Sequence, residues 1–147
     1  MREIKFRAYY KADKRIYEVL YLDFASNELR LWDEETEFDF ECSFEDVELM
    51  QYTGLKDKNG VEIYDGYILE LRANPFNRKR DLFQVVFKDG GFRDEWNNYI
   101  GQYLPPDIRN KQGGRVRLNE ACEVFGNIYE NENLIKEENE KFNSKAR

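Results

Sequence analysis

The sequence contains no histidine. Without an imidazole there is no Ser-His-Asp or Cys-His nucleophile, no histidine acid or base, and none of the histidine-bearing zinc sites. Acid–base work by carboxylate, lysine or tyrosine, or a hard cation held by carboxylates, is what the composition leaves open. Cysteine is nearly as scarce. Cys42 and Cys122 lie far apart in no spaced motif, so two reduced, buried thiols are expected, a free cysteine being a small hydrophobe. No run approaches the ~18 apolar residues a membrane helix needs. Met1 to Arg7 is charged and lacks an apolar stretch, so no secretory leader is expected and the expected compartment is the cytoplasm.

Aromatic side chains are what the sequence has in abundance: 16% of 147 residues, with ten Tyr and eleven Phe. They pack well on pleated, half-buried surfaces and favour β-structure. The spacing agrees. Ile4 to Tyr9 alternates apolar and polar residues, as do Glu28 to Trp32 and Thr36 to Phe40, with polar turns at Lys11–Lys14, Ser26–Asn27 and Asp33–Glu35. This is the pattern of an antiparallel meander. Asn59-Gly60 and Asp65-Gly66 are tight-turn pairs. Strands are expected over Tyr67–Leu71, Leu82–Phe87, Val116–Leu118 and Glu123–Tyr129. A long loop is expected over Tyr99–Gly114, with its Pro105-Pro106 and Gly113-Gly114. Asn131 is placed to cap a terminal helix starting near Glu132.

Several of these segments carry a family resemblance. The opening Arg2-Glu3-Ile4-Lys5-Phe6-Arg7-Ala8, the long block Leu49 to Gly66, Val85-Val86-Phe87 with Gly90-Gly91-Phe92, and Val124 to Asn131 resemble the YopX-like proteins of phages and prophages. The chain departs at Tyr67, where the family usually has an acidic residue, and in the longer Tyr99–Gly114 loop. The resemblance implies a mostly-β protein: a meander lobe over residues 1–48, a small SH3-like barrel over 49–130, and a short helix and tail over 131–147. It implies a phage or prophage gene acting inside a bacterial host. It carries no settled activity, so no catalytic position transfers.

Charge is unevenly spread. Residues 1–71 hold nine basic and eighteen acidic side chains, residues 72–118 ten and five, and residues 119–147 four and seven, for a net −7. The basic middle suggests a nucleic-acid contact through Arg72, Arg78, Lys79, Arg80, Arg115 and Arg117, cations pairing with phosphate while aromatics stack on bases. The blander reading is a solvated loop offsetting the acidic lobe. The acidic run suggests a face for a basic partner, with Glu35, Glu37 and Asp39 on one side of a strand; the alternative is a solvated face guarding a sheet edge. Tyr52, Tyr64 and Tyr67 are candidates for an exposed protein-binding surface, although most rings are expected in the core.

No catalytic set, cofactor motif or metal loop is found; Asp57-Lys58-Asn59-Gly60 has a lysine where a calcium ligand would be needed. The expectation is therefore a non-enzymatic accessory protein that binds a host or phage protein and forms a homo-oligomer. Nucleic acid is the second partner class, and a carboxylate-dependent enzyme the third reading.

Overall fold

The structure is a computed structural model, and it describes residues 1–72, 81–131, 133, 135 and 137. It divides into two compact units, Met1–Tyr52 and Thr53–Arg147.

In the first unit the alternating pattern becomes a meander. β1 (Phe6–Tyr10), β2 (Arg15–Asp23), β3 (Glu28–Asp33) and β4 (Phe38–Ser43) pair antiparallel in sequence order. A 3₁₀ turn, Phe44–Asp46, leads into β5 (Val47–Lys56), which returns to pair with β1. One face of this sheet buries Ala8, Tyr17, Leu29, Leu31, Cys42 and Val47. At about 1.5–3 kcal/mol per fully buried large aliphatic side chain, Leu29 and Leu31 are major contributors to this unit's stability. Tyr10 and Tyr17 both set their rings edge-on to Phe40, with centroids 5.3 Å apart in each case. The strand expected from Thr36 starts at Phe38 instead. Residues 34–37 form a turn in which Glu37 takes a left-handed φ of 57°, so it leaves the strand row that Asp39 and Glu41 share.

In the second unit β5 ends beside β6 (Glu62–Tyr64). β7 (Tyr67–Leu71) is the middle strand of a three-stranded antiparallel sheet, between β8 (Asp81–Gln84) and β11 (Glu123–Asn127). All five β7 residues are buried, as a central strand covered on both faces requires. β9 (Val86–Lys88) pairs with β10 (Gly91–Arg93). The core gathers Ile63, Leu69, Phe83, Val85, Ile100 and Cys122 with their neighbours.

Four expectations change here. The sheets among the described residues are open and antiparallel, not closed into an SH3-like barrel. The strand expected over Leu82–Phe87 breaks at Val85, whose N–H donates to Tyr67 O and whose C=O accepts from Gly66 N. That break sends β9 away to pair with β10. Leu118–Ala121 forms a short helix, α1, where a strand was expected over Val116–Leu118. The terminal helix begins four residues early: residues 128–131, 133, 135 and 137 are helical. Its cap is Asn127, whose Oδ1 accepts from the Tyr129 and Glu130 N–H groups, both at 3.0 Å.

Candidate functional site

The second unit contains a cleft of about 620 Å³, within the size range of small-ligand and peptide-side-chain sites. Its construction starts at Asp94. The buried carboxylate accepts N–H bonds from Trp96 (2.9 Å) and Asn98 (2.8 Å) on Oδ1, and the Asn98 side-chain amide (2.9 Å) on Oδ2. These three bonds wind residues 94–98 into a fixed turn with Asn97 at φ 68°. The turn presents Trp96 at the cleft, 60% exposed, its ring edge-on to the buried Phe83 at 6.3 Å.

The other wall comes from the segment expected to be a long loop. It is ordered by backbone bonds: Leu104 N to Val116 O (2.8 Å), Leu118 N to Gln102 O (2.8 Å), and a closing turn in which Asn110 N donates to Gly114 O (3.0 Å). Tyr103 and Arg117 face each other across an antiparallel bridge. The Tyr103 ring, half exposed, carries two guanidiniums, Arg115 at 5.0 Å and Arg117 at 4.9 Å from its centroid. Arg115 Nη2 donates to Leu104 O (3.1 Å), and Arg117 Nη2 to Tyr103 Oη (3.4 Å). The hydrogen bond to Tyr103, and then the charge that its phenol oxygen can carry, hold Arg117 still more firmly protonated. Leu71, Leu104 and Leu118, all buried, give the cleft an apolar lining.

The carboxylates of this cleft are Asp81 and Asp94, and the second is committed to its three donors. Among the described residues no group of three or more Cys, Asp or Glu side chains is gathered to hold a metal ion. No described helix is long and apolar enough to cross a membrane. The Cys122 thiol is fully buried, and burial, with Asp94 and Asp57 nearby, pushes its pKa up to about 12. Cys42 is likewise free and buried, its pKa raised by burial and by Asp46.

The other residues singled out from sequence are dispersed. Arg78, Lys79 and Arg80 lie outside the described residues. Arg72 is exposed and ion-paired to the buried Glu70. Arg115 and Arg117 meet on Tyr103. Glu35 pairs with Arg15 at 3.2 Å, Glu37 sits in the turn before β4, and Asp39 and Glu41 share Arg30 at 2.8 and 2.5 Å. Tyr52, Tyr64 and Tyr67 are buried to within 6% exposure, so their rings are core and not surface; Tyr64 packs on Tyr67 at 5.4 Å. Trp96 and Tyr103 were not anticipated. They lie in irregular segments where periodicity has nothing to say, and the clue available was an aromatic residue beside each cluster of turn residues.

The family described as YopX protein matches residues 5–136. The chain belongs to the YopX family. It is similar to protein EF1440 from Enterococcus faecalis, known as a crystal structure, with 27% identity, a TM-score of 0.60, and coverage of 92% of this chain and 99% of that one. No curated protein matches.

The blocks that carry the YopX resemblance have a structural explanation. Asp57, at the Leu55–Gly60 turn, is buried and takes N–H bonds from Asn59 (2.8 Å), Val61 (2.9 Å) and Val124 (2.9 Å). Gly60 completes the turn at φ 80°. In Gly126 to Asn131, Asn127 caps the helix while Asn131 Oδ1 accepts from Asn127 N (3.2 Å). A Cβ at position 126 would stand 2.2 Å from that same oxygen, so any larger residue must displace the Asn131 side chain. These YopX blocks brace the second unit, and the cleft is lined partly by Gln102 to Pro106 in the segment between them.

Proposed function

We propose that this YopX-family chain is a phage or prophage accessory protein that works by binding a protein partner in the host cytoplasm, and that the second unit's cleft is its docking site. The observation that carries the reading is the pair of exposed rings, Trp96 and Tyr103, displayed on fixed turns over an apolar lining. Exposed aromatics cost solvation and are enriched at binding surfaces. Turnover is disfavoured because the chain has no imidazole, one of its two cleft carboxylates, Asp94, is committed to three donors, and its thiols are buried.

A second reading, single-stranded nucleic acid, is favoured by Arg115 and Arg117 on Tyr103 beside an exposed indole. The first reading is preferred because a strand needs a track of cations, whereas Arg115 in the cleft and Arg117 beside it converge on one ring in a chain of net charge −7.

A photoreactive amino acid at position 96, irradiated in host cells, tests this. The expected result is a discrete protein adduct. Adducts confined to nucleic acid, with a gel shift relieved by salt, move the function to the second reading. No adduct at position 96 removes the cleft from consideration.

A further inference from the structure

Four arginines of this chain are matched to carboxylates, while Arg93 donates to the backbone carbonyls of Lys88 and Asn97. Arg7 meets Glu18 at 3.1 Å, Arg15 meets Asp33 and Glu35, Arg30 meets Asp39 and Glu41, and Arg72 meets Glu70. Arg115 and Arg117 differ. Neither guanidinium meets a carboxylate among the described residues; each leans on Tyr103 and spends one N–H, on Leu104 O and on Tyr103 Oη respectively. Glu120, the nearest acid in sequence, accepts from the Arg117 backbone N–H at 3.5 Å. A guanidinium has five N–H groups, so both retain donors in a fork that matches a carboxylate. Being 5.0 and 4.9 Å from one centroid, the two cations are no more than about 10 Å apart. Both cations therefore gather at one ring, a seat for an acidic group.

Beside this seat is an apolar lining with an exposed indole. An occupant that satisfies both parts carries one negative charge next to a flat or rigid apolar group. On the reading that the cleft binds a protein, we propose that its occupant is a partner-protein segment bearing an aspartate or glutamate beside a proline or aromatic residue, the carboxylate bound by Arg115 and Arg117 and the ring placed against Trp96. Charge complementarity commits the site to an acidic segment. The apolar lining and the exposed indole favour such a segment over a polyphosphate strand.

The test is selection of a displayed random heptapeptide library on the immobilised full-length chain. Expected winners carry Asp or Glu within two residues of Phe, Trp or Pro. A synthesised winner should lose about tenfold or more in affinity on Arg115→Gln/Arg117→Gln, the range for a charge-assisted hydrogen bond, and weaken as salt is raised on the unmodified chain. Arg115→Lys/Arg117→Lys should fall between, keeping charge but losing the planar fork. Circular dichroism and the unfolding midpoint confirm that the variants are folded, and the salt titration needs no variant. Winners without acidic residues, indifference to both glutamines, or displacement of the winner by a dT10 oligonucleotide would overturn the proposal. Purely apolar winners that still lose affinity on Trp96→Ala would end it while leaving the cleft as a docking site. No enrichment, together with no adduct at position 96, would end both.

Discussion

Asp57 gathers three backbone N–H groups on one buried carboxylate, two from its own turn and one from Val124 in β11. In sequence it stood out as a failed calcium ligand. The structure gives it a different occupation, because both oxygens are consumed by amides. Asp57→Ala leaves those amides without their acceptor, each a buried polar group costing about 1–3 kcal/mol. The expected loss is about 3 kcal/mol or more in urea unfolding, with Asp57→Asn intermediate because its amide nitrogen cannot accept from both sides. Cys122 makes a prediction on the alkaline side. Its folded pKa is raised from near 9 to about 12, so the stability this thiol contributes is complete below pH 9 and lost as pH climbs toward 12. Tyr17, raised to about 12 by burial and by Asp13, adds a similar loss starting near pH 10. The urea midpoint should decline from pH 9 upward in the natural chain. In Cys122→Ala the decline should be shallower, with the buried Cys42 thiol and, from near pH 10, Tyr17 accounting for what remains.

At the level of elements, the glycine before the helix cap is the sharpest test. Gly126→Ala drives a methyl into Asn131 Oδ1, and the strain of overpacking costs about 1–3 kcal/mol. Asn131→Ala removes the obstacle, so the double variant should be less destabilised than the two single losses summed, measured by denaturant unfolding. The same helix shows what the sequence could and could not tell. Its existence followed from an asparagine ahead of a polar run, but two asparagines four residues apart both fit a cap. Asn127 is the cap, and Asn131 instead accepts from the Asn127 N–H, a division of roles that periodicity does not show. The turns at Asn59-Gly60 and Asp65-Gly66 were legible because positive φ at a glycine is a local matter; Gly60 and Gly66 adopt 80° and 83°. Sheet closure was not legible, since it depends on where Val85 sends its two hydrogen bonds. Of the cleft and its rim, charge alone pointed to Arg115 and to Arg117, which rests on Tyr103. Trp96 and Tyr103 were missed because only the Asp94 turn and the Leu104–Val116 pairing bring them to one place.

Across the whole molecule each unit has its own apolar core and its own pattern of ionisable groups. In the first unit the Ser26 side chain and the Ser26 and Ala25 N–H groups hold Asp23 low. Tyr21 and Arg30 hold Glu41 low. At Asp33 burial pushes upward, but bonds from the Glu35 and Thr36 N–H groups, the Thr36 side chain and the charge of Arg15 outweigh it. With folded pKa values below the ordinary carboxylate range, these groups contribute stability that is full above about pH 4 and lost as pH falls through their depressed values. The urea midpoint should therefore drop on the acid side, and Glu41→Gln should make that drop shallower.

The chain has two tryptophans, and they are divided one to each unit: Trp32 half-buried in β3, Trp96 at the cleft. Each unit thus carries its own intrinsic optical label. Trp32→Phe leaves an emission that reports occupancy of the cleft without added dye, and Trp96→Phe leaves one blind to the cleft that follows the acid-sensitive sheet.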